Sequence, residues 1–118
     1  MSETKTVIDH IVLLKVRADA TKEEVDRLVE GTFSLKAIPG VLTITVGPTF
    51  VEDWMPDRRA GHTYVLSVRL ESKEALKVYQ DHELHVKVKN ECLIPLLEGP
   101  PVAVDYESVV VVGDGAKE

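Results

Sequence analysis

The chain has 118 residues, 44% hydrophobic and 29% charged, which suits one domain with one core and is too short for two. A net charge of −6 argues against nucleic acid or an anionic membrane as the main partner, since both call for a basic surface. The single cysteine, Cys92, excludes an internal disulfide and fits a reducing compartment, and no apolar run approaches the roughly 18 residues of a membrane span.

Met1 to Thr6 is polar and lacks the apolar core of a signal peptide, so residues 1–6 are expected to be a flexible start and the protein soluble and cytoplasmic. Val7 to Arg17 reads as a strand. Ile8, His10, Val12, Leu14 and Val16 alternate onto one face. Val7, Ile11 and Leu13 make the middle of the other face apolar too, so both faces need cover.

Thr21 to about Ile38 has the character of a helix. Thr21 and Glu24 are spaced as a capping box, and Val25, Leu28, Val29, Phe33 and Leu35 or Ile38 form an apolar face. Gly31 weakens the centre, and Pro39-Gly40 ends the helix. Val41 to Val46 is a second strand with Leu42, Ile44 and Val46 inward. Residues 48–61 are a long loop holding Trp54, Met55 and Asp57-Arg58-Arg59, and a loop with an exposed tryptophan folds over a pocket or a partner.

His62 to Leu70 is a third strand, with Tyr64, Leu66, Val68 and Leu70 on one face. His62 is expected in solvent and the Asp57-Arg58-Arg59 run is expected to be solvated. Ser72 is placed to cap a helix through Tyr79, and a second helical segment follows from Glu83 to Leu93, with Cys92 as a core residue. Val102 to Val112 is a fourth strand, with an irregularity expected near Glu107-Ser108. Residues 113–118 read as a frayed tail. The order βαββαβ gives an α+β ferredoxin-like fold over residues 7–112, with helices on one face of an antiparallel sheet. The apolar second face of the first strand then calls for another sheet, most simply that of a second copy.

The stretch Tyr79-Gln80-Asp81-His82-Glu83-Leu84-His85 holds two of the four histidines and one of the three tyrosines. In a helix, steps of three put neighbouring pairs within reach. His10 and Tyr64 fall on strand faces turned towards the helices, so His10, Tyr64, Tyr79 and His85 converge in this scheme, with His82 near the rim. Apolar walls with a few convergent polar groups are the usual small-molecule site. Each residue also has a plainer reading, since a histidine on an apolar strand is ordinarily a satisfied core residue. His82 and His85 could instead share a metal, with Asp81 or His10 as a third ligand. The chain has no His-Glu-x-x-His motif, no cysteine cluster, no Gly-x-Ser-x-Gly elbow and no Gly-rich phosphate loop. The expectation is therefore no metal, no nucleotide and no cofactor.

Asp9-His10-Ile11-Val12-Leu13-Leu14-Lys15, Ile38-Pro39-Gly40-Val41, Gly47, Gly61 to Leu70, Tyr79-x-x-His82-x-x-His85 and Val104-Asp105-Tyr106, in this order, resemble the stress-responsive α/β-barrel domain family. The resemblance implies a βαββαβ protomer whose sheet packs on its twin's as a dimeric α+β barrel. One plant member is a cofactor-independent polyketide cyclase. Its histidine general base falls on His85 by motif, its assisting tyrosine on Tyr79, and a first-strand pocket histidine on His10. Glu83 replaces the proline usual after the first motif histidine, Tyr64 stands where that cyclase has a pocket histidine, and the Pro48–Ala60 loop is longer. These departures suit a different pocket, or one that no longer turns anything over.

By this resemblance His85 takes a proton from carbon flanked by carbonyls, and Tyr79 donates to the developing enolate. His10, Tyr64 and His82 contribute to substrate binding. Three functions follow as expectations: a homodimeric cyclase or lyase with an apolar or polyketide-like ligand, a non-catalytic stress-related binding or structural dimer, and a cofactor-free monooxygenase of the same barrel group.

Overall fold

The first strand, β1 (Glu3–Leu14), is the spine of the sheet and pairs on both sides. A computed structural model describes residues 3–112. The strand starts four positions earlier than its apolar alternation suggests, because Glu3 to Thr6 pair with the end of β4 (Val102–Val112). The tail at 113–118 lies outside the described residues. The remaining strands are β2 (Val41–Pro48) and β3 (Tyr64–Leu70). The sheet order is β2-β3-β1-β4, antiparallel throughout. This is the ferredoxin-like arrangement expected from the element order.

Helix α1 (Lys22–Ser34) begins at a complete capping box. The Glu24 amide donates to Thr21 Oγ1 at 3.2 Å, and the Thr21 amide donates to Glu24 Oε1 at 2.9 Å. A 3₁₀ turn, Leu35–Ala37, completes it. Phe33, expected inward, is half exposed, and Thr32 is buried in its place. The glycine inside the helix has a packing reason: a Cβ on Gly31 would lie 3.0 Å from Cys92 Sγ and 3.3 Å from Val88 Cγ1.

β2 departs from simple alternation. A bulge lies between Val41 and Thr43, with Val41 opposite Leu70 and Thr43 opposite Arg69. Leu42 is the extra residue, so Val41, and not Leu42, joins Ile44 and Val46 against the core. By contrast β1 and β4 pair without a shift from Glu3↔Val112 to Leu13↔Val102, so the irregularity expected at Glu107-Ser108 is absent. β3 begins at Tyr64, not His62. His62 is partly buried, its Nδ1 3.0 Å from the Arg59 carbonyl oxygen. Asp57 receives the Arg59 amide at 2.9 Å and its guanidinium at 3.0 and 2.8 Å, which folds the arginine run back on its own loop.

The second helical region is broken. Helix α2 (Lys73–Asp81) is capped by Ser72, which accepts from the Ala75 amide at 3.1 Å. It stops at His82, whose backbone is extended, and α3 (Glu83–Val88) restarts there. A π turn, Lys89–Leu93, and a 3₁₀ turn, Ile94–Leu96, lead to β4. The core lies between the helices and one sheet face. It joins Ile8, Val12, Leu14, Leu66, Val68 and Leu70 to Leu28, Leu35, Tyr79 and Val88.

The opposite sheet face carries Val7, Asp9, Ile11 and Leu13 of β1, with Val102, Val104 and Tyr106 opposite them on β4. No helix among the described residues covers it. Asp9 is buried and takes two hydrogen bonds from Arg69, both at 2.9 Å. The guanidinium holds its carboxyl below the usual carboxylate range against the opposing effect of burial. The pair satisfies its charges within one chain, so this face can be covered without stranding an ion.

Candidate functional site

The break at His82 shapes the site. His82 Nδ1 accepts the Leu84 amide at 3.0 Å and so caps α3. The chain turns a corner there, and Tyr79 and His85 meet across the corner, not along one helix. Their ring centroids are 4.6 Å apart. His85 Nδ1 lies 3.1 Å from the Gln80 carbonyl oxygen, one of the carbonyls left over where α2 ends. A carbonyl can only accept, so Nδ1 carries the proton, and the neutral ring has a free lone pair on Nε2.

β1 supplies the third ring. His10 is buried, and its centroid lies 5.8 Å from that of Tyr79, edge to face. The β1–β4 register places Asp105 directly opposite His10, and its carboxylate accepts from His10 Nδ1. This fixes the ring and leaves its Nε2 as the second free nitrogen. Asp105 is a site residue that the helix and strand patterns do not single out. Its signal was the motif Val104-Asp105-Tyr106 together with the antiparallel pairing to β1.

These groups surround a cavity of about 200 Å³, walled by Val12, Leu35, Leu66, Val88 and Leu93 and edged by Gln80 and Lys89. The cavity is smaller than the roughly 300 to 1,000 Å³ of drug-sized sites. His10, Tyr79 and His85 line it. Tyr64 does not: it sits at the start of β3, opposite Leu14, packed on the core. His82 also lies outside, on a shallow surface with Asp81 and Val78. Among the described residues, no three His, Cys, Asp or Glu side chains are placed to hold a metal ion.

Burial sets the chemistry of the two central groups. Tyr79 is fully buried, and its hydroxyl has no hydrogen-bond partner from the protein. Thr32 Oγ1 and Arg17 Nε share that condition, but neither lines the cavity. Desolvation pushes the Tyr79 phenol far above its ordinary pKa, so at neutral pH it is a donor and not a base. Burial pushes the His85 imidazolium down from 6.5, outweighing the Gln80 contact, and His10 and Lys89 add to the lowering. A neutral base and a protonated donor thus stand side by side in an apolar pocket.

Comparison with known proteins agrees with this architecture. A relative from Arabidopsis thaliana, a stress-response A/B barrel domain-containing protein, is 32% identical over 100 residues, covering 85% of this chain and 36% of its own length. This chain therefore spans about a third of that relative. A dimeric ferredoxin-like protein of unknown function from Thermobifida fusca superposes with a TM-score of 0.70 at 21% identity, covering 86% of this chain and 91% of the other. A hydroxynitrile lyase from Passiflora edulis superposes with a TM-score of 0.70 at 18% identity, covering 92% and 94%. At such identities the structural likenesses speak for the fold. The family model for the stress responsive A/B barrel domain matches residues 8–108, and the chain belongs to that family.

Proposed function

We propose that this domain is a homodimer whose protomers each bind a small, largely apolar carbonyl or hydroxyl compound, and that it acts on it as a cofactor-independent lyase or cyclase. The observation that carries this reading is Tyr79, which lines a cavity with His10 and His85 and whose buried hydroxyl has no protein partner. A buried hydroxyl left unpaired costs about 1 to 3 kcal/mol, and a ligand oxygen would relieve that cost.

In the proposed reaction His85 Nε2 takes a proton either from carbon beside a carbonyl, giving an enolate that adds to a second carbonyl of the substrate, or from a hydroxyl, whose oxygen becomes a carbonyl as the C–C bond breaks and the departing carbanion takes up a proton. Tyr79 O–H donates to the substrate oxygen that gains charge. His10, held by Asp105, offers its Nε2 lone pair to a hydroxyl of the substrate, and the protonated His85 returns the proton. The name of the Passiflora neighbour, a hydroxynitrile lyase, lends support to lyase chemistry on this fold. The main competing reading is a binding protein that holds a ligand on the same groups without turnover, and it is favoured by Glu83 and Tyr64, where the sequence departs from the cyclase-like pattern.

The test is a panel of cyanohydrins and short linear polyketide mimics offered to the wild type, His85→Ala and Tyr79→Phe in the presence of a chelator. Turnover in the wild type that falls about a hundredfold or more in His85→Ala, with the fold retained, supports the catalytic reading. Binding without turnover in the wild type, or equal turnover in His85→Ala, defeats it.

A further inference from the structure

We infer that the ligand of this cavity carries a carboxylate, held by Lys89 at the rim while its apolar body fills the interior. This rests on the reading of the cavity as a ligand site. The chain has 20 acidic and 14 basic residues, yet no acidic residue lines the cavity, and Lys89 is its only lysine or arginine. Among the described residues Lys89 has no ion-pair partner, a condition it shares with Lys5, Lys15, Lys36 and Lys87, and of these it alone lines the cavity. Its charge is felt at His85, where it disfavours the imidazolium.

The backbone gives Lys89 its position. It opens the π turn Lys89–Leu93, and Leu93 of the same turn also lines the cavity. Such turns re-aim side chains and recur at functional sites. Tyr79, whose hydroxyl is fully buried and without a protein partner, lines the same cavity as Lys89. Around the cavity the polar groups are a phenol donor, two histidines fixed on their outer nitrogens, Gln80 and one cation. The phenol suits an acceptor oxygen inside and Lys89 suits a negative charge at the rim, away from the lone pairs of the two histidines.

Size narrows the class further. An apolar protein cavity of about 150 Å³ holds benzene, so about 200 Å³ suits one ring, or a short chain, with a small substituent. Phenylacetate and its neutral isostere phenylacetamide are therefore matched probes.

The experiment follows the ring signals of Tyr79 and His85 by NMR in the full chain, titrating each probe into the wild type and Lys89→Gln. In the wild type at low ionic strength phenylacetate should bind about three- to fivefold more tightly than phenylacetamide, the range of an exposed charge pair. That preference should shrink in high salt and vanish in Lys89→Gln, while phenylacetamide binds both proteins alike. Equal binding of the two probes to the wild type, or a preference that survives Lys89→Gln, overturns the inference and leaves the cavity reading standing. Failure of both probes to bind overturns both.

Discussion

Burial acts in opposite directions on the two groups that face each other in the cavity. It keeps the proton on Tyr79 and keeps it off His85. This division of labour makes a pH dependence with a definite sign. His85 must be neutral to act, and its pKa in the folded protein lies below its ordinary 6.5. Activity should therefore be level at neutral pH and fall in acid, with a midpoint below 6.5. A midpoint at or above 6.5 would assign the limb to another group. Stability follows the same linkage: the unfolded chain takes up the proton first, so the contribution of His85 is present above 6.5 and is lost as the pH falls through its folded value. The residue types were readable beforehand, because Tyr79, His82 and His85 stand out in a chain with four histidines. The meeting of His10, Tyr79 and His85 was also foreseen, whereas the break at His82 that joins Tyr79 and His85 across a corner, and the exclusion of Tyr64 from the cavity, were not.

At the scale of elements, local signals were legible wherever a cap or a stop is written in side-chain chemistry. The capping box at Thr21 and Glu24, the Ser72 cap and the Pro39-Gly40 stop all depend on contacts within a single helical turn. Gly40 goes further. Its φ of +91° is reserved for glycine in practice, and a Cβ there would sit 2.7 Å from Ala75 Cβ in α2. The turn after α1 and the start of α2 are thereby packed without any space for a methyl group. Gly40→Ala should lower the unfolding free energy by about 2 to 3 kcal/mol in denaturant melts. Adding Ala75→Gly should recover only the part due to the clash. A loss under about 0.5 kcal/mol would mean that the turn relaxes freely. Elements that depend on distant partners were less legible. The bulge that exchanges Leu42 for Val41, the uninterrupted β1–β4 register and the pairing of Glu3 to Thr6 each require a neighbouring strand to be in place.

For the whole molecule, the sheet face opposite the helices leaves apolar side chains uncovered. Val102, Val104 and Tyr106 are 45%, 54% and 49% exposed, and they lie beside Ile11 and Leu13. This surface was foreseen from the two-sided apolarity of the first strand, and it is the face through which the proposed homodimer would pair. The protein should sediment at twice the 13.1 kDa of one chain. Val104→Glu, which places a charge in the middle of that face, should yield folded monomers. A wild-type monomer at micromolar concentration, or a Val104→Glu dimer of undiminished strength, would count against pairing through this face. The cavity lies on the helix side, so monomers of Val104→Glu should keep it.

In the proposed function one hydroxyl, that of Tyr79, is kept for a ligand at some cost to the free fold. Tyr79→Phe removes that oxygen and little else, and its unfolding free energy measured against the wild type, both without ligand, is the most direct test. The expected result is a variant as stable as the wild type or more stable by up to about 3 kcal/mol, because the unpaired hydroxyl is removed and no protein hydrogen bond is lost. A loss of about 1 kcal/mol or more would show that the hydroxyl is satisfied within the fold, and would contradict its assignment to a bound substrate.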